Sequence, residues 1–305
     1  MPLWVLLALI APFMLAAVSV IDKIILDRYV RTPLLYPFYT GVVEAILGVS
    51  VITIILLARL EDVNLSVIGG SMAMGSLRGI ALVALVGALR HEQVSRVVAL
   101  WFLNPIIVAG MAIIFLSESL STLAIVAIAM ASLGAGVVSW TGGESSRGFM
   151  RPSAIAMALG AALAWAVANI LAKYFIDGDS FWQFFFGSRI GFGGTLLLLV
   201  FSRNVRREAP HGWRSRPLLW MYLLAEITIT VSLILYYSAI NMGPISLISA
   251  LGALQPLLVL VYSIALALLF PAAFSGWITR GKGKLVPQFV GTAVLAIGVG
   301  IVIVQ

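Results

Sequence analysis

The sequence predicts an all-α integral membrane protein, with ten transmembrane helices arranged as two inverted five-helix repeats. Three observations predict it: an extreme apolar composition, ten apolar runs of bilayer-spanning length, and the return of the same features in the second half. Hydrophobic residues make up 62% of the 305 and charged residues only 10%. The mean hydropathy of +1.10 lies far outside the range of a soluble domain. A helix needs about 20 mostly apolar residues to cross the hydrocarbon core, and runs of that length follow one another along the chain.

The first, Leu3 to Leu26, carries Asp22-Lys23 near its end. No Lys or Arg precedes it, so it reads as a retained helix and not as a signal peptide. The second, Leu34 to Leu57, embeds Glu44, and the third, Val67 to Leu89, embeds Arg78 beyond Gly69-Gly70. The fourth, Val94 to Leu116, is interrupted by Asn104-Pro105, and the fifth, Leu120 to Trp140, is rich in small residues through Gly134-Ala-Gly136. The sixth, Ala154 to Ile176, holds Trp165, Asn169 and Lys173. The seventh, Phe181 to Phe201, holds Arg189 and Gly191-Phe-Gly-Gly194, and the eighth, Pro217 to Ile240, holds Glu226. The ninth, Ile245 to Phe270, is interrupted by Gln255-Pro256, and the tenth runs from Val286 to Val304. The largest connections, Ser202 to Arg216 and Pro271 to Leu285, read as loops, which leaves no room for a soluble domain.

These features exclude several classes. The net charge of +7 resides mostly in short loops, where basic residues set orientation and meet anionic lipid, so membrane lipid and not nucleic acid is the expected partner. Cysteine is absent, and the two histidines, His91 and His211, fall in connections. Thiol chemistry, a Ser-His pair and metal-ligand spacing are therefore missing. The glycine clusters lack the Lys-Ser/Thr of a phosphate loop. The sequence predicts no cofactor, no metal, no catalytic residue and no enzyme.

The recurrence is regular. Gly87-Ala-Leu89 precedes Asn104-Pro105 as Ser238-Ala-Ile240 precedes Gln255-Pro256, an offset of 151 from Ala88 to Ala239 and from Pro105 to Pro256. Lys23 falls over Lys173 (150), Glu44 over Arg189 (145), and Gly136 over Gly300 (164). Two halves follow, 1–146 and 147–305. Because five spans are an odd number, the second half enters the membrane from the opposite side, as in secondary transporters whose substrate sites lie near the midplane. A proline inside a helix removes a hydrogen bond, and freed carbonyls are tolerated where they line a cavity. Pro105 and Pro256 are thus the expected helix kinks, with Asn104 and Gln255 either facing a substrate or bonded to a neighbouring helix.

The order and spacing of these motifs resemble the ten-helix EamA-type members of the drug/metabolite transporter superfamily. The stretch VSRVVALWFLNPIIVAGMAIIFLSESLSTLAIVAIAMASLGAGVV (94–138) is similar to that repeat's ending, with its mid-helix Pro105, Glu118 at the helix-to-helix turn and a glycine-rich last helix. Two departures stand out. Glu44 occupies a place where the family often has Arg, and the second half has Phe270-Pro271 and about 13 extra residues in place of the Glu. The resemblance implies a small-molecule substrate moved by alternating access in a prokaryotic cytoplasmic (inner) membrane.

An ionisable residue at a helix centre costs about 2.5–3.5 kcal/mol on insertion scales, so it is paired, cavity-facing or both. Glu44, Arg78, Arg189 and Glu226 are the four. They can pair off as two ion pairs, or line the pathway with an anion held by Arg78 and an amine or a proton, as coupling ion, held by Glu226. Arg78 and Glu226 are expected at comparable depths, able to hold a zwitterion at both ends. Asn169, Trp101 and Trp165 are further pathway candidates, with helix packing as the alternative for each. Asp22-Lys23, Arg96 and Lys173 read as anchors or gate pairs. Trp4, Trp140, Trp182, Trp213, Trp220 and Trp277 lie at span ends, as an interfacial belt does.

Loops after the first, third, fifth, seventh and ninth spans carry Arg28, Arg31, Arg90, Arg96, Arg147, Arg151, Arg203, Arg206, Arg207, Arg214, Arg216, Arg280, Lys282 and Lys284, against Arg59 and Lys173 opposite. The positive-inside rule puts that basic face in the cytoplasm and both termini outside, whereas the resemblance implies termini inside. The function expected is secondary transport, by import or export, of a small polar or zwitterionic metabolite such as an amino acid, with a flippase for lipid or lipid-linked substrates as the alternative.

Overall fold

The computed structural model describes residues 2–28, 34–58, 62–139, 150–176, 180–212, 216–271 and 285–304. Among them the chain is helical and contains no strand. The helices are α1 (Leu3–Arg28), α2 (Leu35–Ala58), α3 (Leu65–Leu89), α4 (Val94–Trp101), α5 (Asn104–Phe115), α6 (Thr122–Ser139) and α7 (Pro152–Phe175). They continue with α8 (Phe181–Leu197), α9 (Arg203–Gly212), α10 (Arg216–Met242), α11 (Ile245–Gly252), α12 (Gln255–Leu269) and α13 (Leu285–Val304). Nine described stretches are long and apolar enough to cross a bilayer, and α13 adds an apolar segment over Phe289–Val304. Helix is the form such runs take in lipid because it satisfies every backbone group internally.

Polarity is distributed inside out. Leu57, Ile114, Phe201 and Phe289 are exposed, while Glu44, Arg78, Arg189 and Glu226 are buried, the arrangement expected when lipid and not water surrounds the bundle.

The fourth and ninth predicted spans are each two helices. Phe102-Leu103 separates α4 from α5, and Ala253-Leu254 separates α11 from α12. Pro105 and Pro256 occupy the first turn of the restarted helices, where a missing N–H costs nothing. The break lies one turn upstream, since neither proline can donate to the carbonyl four residues before it.

Small residues set the helix contacts. A Cβ on Gly48 would stand 2.7 Å from Ile190 and 2.9 Å from the Phe186 carbonyl, and one on Gly193 2.5 Å from Ala45 N and 2.8 Å from the Gly41 carbonyl. These α2–α8 contacts are reciprocal: a shift of 145 turns one set into the other. The α6–α13 contact behaves likewise under a shift of 164, with Gly134 on Gly291 and Leu295, and Gly298 on Ala127 and Ala131. Within the predicted small-residue faces, Gly70, Gly134, Gly191 and Gly193 make the close contacts, whereas a Cβ on Gly69 or Gly194 would meet nothing within 4 Å.

One expectation is corrected. Ser202 to Arg216, read as a loop, contains α9. Val205 is fully buried beside Ile25, Leu35, Tyr39, Leu218 and Tyr222, and Ala209 packs against the same cluster. One apolar stripe on a short basic segment suffices for a helix when a tertiary surface receives it. Trp140, Trp213, Trp277, the 146/147 boundary and Arg31, Arg59, Arg147, Arg214, Arg280, Lys282 and Lys284 lie outside the described residues.

Candidate functional site

Two polar centres are buried between the helices. The first surrounds Arg78 of α3, which is 4% exposed. Its Nη1 donates to the Tyr237 hydroxyl at 2.5 Å and its Nη2 to Asn169 Oδ1 at 2.7 Å. The guanidinium carbon lies 4.7 Å from the centre of the Trp165 ring, 4.9 Å from that of Tyr237 and 5.9 Å from that of Tyr236. Trp101 meets Trp165 edge-on at 5.2 Å, so both internal tryptophans stand beside the arginine. Ring faces and neutral oxygens solvate a cation but do not neutralise it. Among the described residues no carboxylate forms an ion pair with Arg78, and its Nε is buried without a hydrogen-bond partner.

The second centre joins α1, α2, α8 and α10. Glu44 and Arg189, both buried, form an ion pair. Arg189 Nη2 also donates to Thr230 Oγ1 at 3.0 Å, and its guanidinium lies 4.8 Å from the centre of the Phe185 ring. Glu226 is 5% exposed and within hydrogen-bonding contact of Tyr222, with Glu44, Arg189 and Asp22 close enough to act on its charge. The Tyr222 hydroxyl donates to Thr40 Oγ1 at 2.7 Å, and that of Tyr36 donates to Asp22. One oxygen each of Glu44 and Glu226, both Oε2, is buried without a partner, as is Arg189 Nε. Phe185 links the centres, since its ring also packs on Tyr237 at 6.0 Å.

Three pairings differ from expectation. The four charges do not form two ion pairs: Glu44 takes Arg189 because α2 lies along α8, which leaves Arg78 with neutral partners. Arg78 and Glu226 do not share a depth. Arg78 reaches Tyr237, and from Glu226 to Tyr237 is roughly 16 Å along α10. Lys173 is not a surface anchor: its Nζ donates to the carbonyls of Ile240 at 2.6 Å and Gly243 at 2.9 Å, at the end of α10.

The kink amides bind neighbouring helices. Asn104 Nδ2 donates to the Ala162 carbonyl of α7 at 2.8 Å, and Gln255 Nε2 to Ser19 Oγ of α1 at 3.0 Å. These bonds tie α5 to α7 and α12 to α1. Glu118, presented by Ser117 in a left-handed conformation (φ 54°), accepts from Ile245 N at 2.8 Å, from Ser246 Oγ at 2.6 Å and from Ser246 N at 3.3 Å. It caps α11 while Lys173 caps α10, each charge set against the favourable helix end.

Sequence reasoning missed Tyr36, Tyr222, Thr230, Tyr236 and Tyr237 and underrated Asp22. A usable signal existed for two of them: Tyr222 and Thr230 stand one turn either side of Glu226, on its face of α10. A groove of about 360 Å³ lined by Leu123, Ile297, Gly300, Ile301 and Val304 is apolar, and none of the buried charges borders it.

Residues 152–267 match the EamA-like transporter family, in agreement with the resemblance read from residues 94–138. No curated protein matches the chain in sequence. Among solved structures 26 chains match. One crystal structure aligns with a TM-score of 0.67 over 98% of this chain and 94% of its own, at 17% identity. At that identity the likeness establishes the fold alone.

Proposed function

We propose that this membrane protein, with an EamA-like transporter domain at residues 152–267, is a secondary transporter of a small polar or zwitterionic metabolite, working by alternating access between two inverted five-helix halves. The reciprocal α2–α8 and α6–α13 contacts support the two-fold relation and the count of ten spans, with α13 as the tenth. The observation that carries the functional reading is Arg78. A guanidinium buried among rings and neutral oxygens, with no carboxylate paired to it among the described residues, is costly in a low-dielectric interior, and an anionic group on the substrate relieves that cost. Asn169, Tyr237 and the Trp165 face would orient the carboxylate or phosphate that arrives. Glu226 is the residue for proton coupling, because Asp22, Glu44 and Glu226 outnumber the one guanidinium among them. With Glu226 roughly 16 Å from the level of Tyr237, the substrate's anion is held at Arg78 alone and the two sites communicate through α10.

The test is uptake into proteoliposomes from a panel of amino acids, amines and organic acids. Saturable uptake of carboxylate-bearing compounds, lost in Arg78→Gln, is the expected result. Uptake that is blind to the carboxylate, or unchanged in Arg78→Gln, contradicts it. The apolar groove beside α6 and α13 is the feature a flippase would use, and a fluorescent lipid in the same vesicles reports that alternative directly.

A further inference from the structure

The two halves close by different chemistry. On α3, Ser71, Gly75 and Gly79 form a stripe of small residues at four-residue spacing that is pressed against α8. A Cβ on Gly75 would stand 1.9 Å from the Ser188 carbonyl oxygen, one on Gly191 1.9 Å from that of Met72, and one on Gly79 2.7 Å from Thr195 Cβ. Backbone meets backbone along this seam, the closest association that helices in lipid achieve.

The repeat relation supplies the counterpart. The shift that carries Ala88 to Ala239 carries Ser71, Gly75 and Gly79 to Tyr222, Glu226 and Thr230. It also carries Leu65 and Leu89, the ends of α3, to Arg216 and Ile240 on α10, whose span is Arg216–Met242. The shift that carries Glu44 to Arg189 makes α2 the counterpart of α8. The seam equivalent to α3–α8 is therefore α10–α2, and its stripe is polar and bulky where the other is small. There the backbones stay apart and side chains span the gap. Tyr222 bonds Thr40 and packs its ring 5.6 Å from that of Tyr36 and 6.4 Å from that of Tyr39. Glu226 lies close enough to Glu44 and Arg189 for their charges to act on its own, and Arg189 donates to Thr230. Over the basic end of this seam lies α9, seated by Val205 and held by the Tyr39 hydroxyl, which donates to the Ala209 carbonyl at 2.8 Å. Arg203, Arg206 and Arg207 of α9 point outward.

We propose that the α2–α10 seam is the gate on the basic face, that Tyr222, Glu226 and Thr230 are the positioning residues that keep it from zipping shut as α3–α8 does, and that α9 is its cap. A seam of hydrogen bonds and exchangeable charges opens by trading partners with water or substrate, whereas a glycine seam opens only by separating backbones. The inference rests on the transporter reading, because a gate matters only to a protein that conducts something.

The chain has no cysteine, so a single introduced thiol reports on its own seam. Val43 on α2 stands where Ser188 stands on α8. In nanodiscs, with both faces accessible, a membrane-impermeant maleimide is expected to modify Val43→Cys at least about tenfold faster than Ser188→Cys. Adding Tyr39→Phe, which releases α9, should raise the Val43→Cys rate further. Adding Glu226→Gly should bring it down to that of Ser188→Cys, while Glu226→Gln, which keeps the bulk, leaves it unchanged. Tyr222→Ser provides the same reading if Glu226→Gly does not fold. Equal rates for the two thiols, or a Val43→Cys rate indifferent to both Glu226→Gly and Tyr222→Ser, would overturn the assignment. Labelling requires no substrate, so the expected pattern in a protein that transports none of the panel would sink the metabolite reading and leave standing only the difference between the two seams.

Discussion

Replacing Glu44 by Met strands the Arg189 guanidinium in the membrane, and breaking a buried pair in this way costs about 3–5 kcal/mol. The double replacement Glu44→Met with Arg189→Met strands nothing and should recover most of that loss, a coupling readable from thermal unfolding in detergent. Arg78→Met leaves no charge behind, so it should be the milder of the two single changes at a buried arginine or its partner. Independent behaviour of Glu44 and Arg189 would mean that their contact is energetically idle. Glu226→Gln should keep expression and low-pH binding while making transport insensitive to pH. A wild-type pH profile in that variant would leave Glu226 a packing residue only. Glu44, Arg78, Arg189 and Glu226 were legible in the sequence as buried charges, because a charge stands out in an apolar run. Their partners were not: pairing depends on which helices lie side by side, and the tyrosines that receive Arg78 look like ordinary residues of an apolar span.

The restarted helices make predictions at the next scale. Pro105→Ala and Pro256→Ala keep a first-turn position that needs no N–H, so insertion and expression should hold, but alanine permits the helix to run on through Phe102-Leu103 or Ala253-Leu254. Transport should fall in both variants, and misfolded protein in both would instead make the prolines elements of the fold. Glu118→Gln removes the charge from a cap that serves two backbone amides and a serine, and should cost roughly 1–2 kcal/mol, measurable as a lower unfolding temperature. Span existence and span ends were readable because length and hydropathy govern them. The helix breaks were readable as kinks at proline, although the chain places them a turn earlier. By contrast α9 was invisible to hydropathy: its single buried stripe, Val205 and Ala209, has meaning only against α1, α2 and α10. The glycine clusters announced close packing, yet the rotation of each helix decided that Gly70 and not Gly69 would meet a neighbour.

At the scale of the molecule the two buried centres differ in charge: among the described residues no carboxylate pairs with Arg78, whereas Asp22, Glu44 and Glu226 gather around the single guanidinium of Arg189. The repeat offsets predict the symmetry, and the reciprocal glycine contacts agree with it, but the unequal seams appear only once the stripe on α3 is laid over that on α10. Orientation is decided by the loops. The excess of Lys and Arg in one set of loops predicts that a reporter active only in the cytoplasm, fused after Gln305, is silent, and an active fusion would reverse the assignment of faces. The central claim is that Arg78 awaits an anionic substrate, and ligand-dependent thermal stability tests it most directly, because anything that binds the folded state raises its unfolding temperature with concentration. Purified protein titrated with carboxylate-bearing metabolites, beside their amide or ester analogues, should be stabilised in a saturable way by at least one free carboxylate and not by its neutral analogue, and Arg78→Gln should abolish the shift. Stabilisation that ignores the carboxylate, or that survives in Arg78→Gln, would contradict the account.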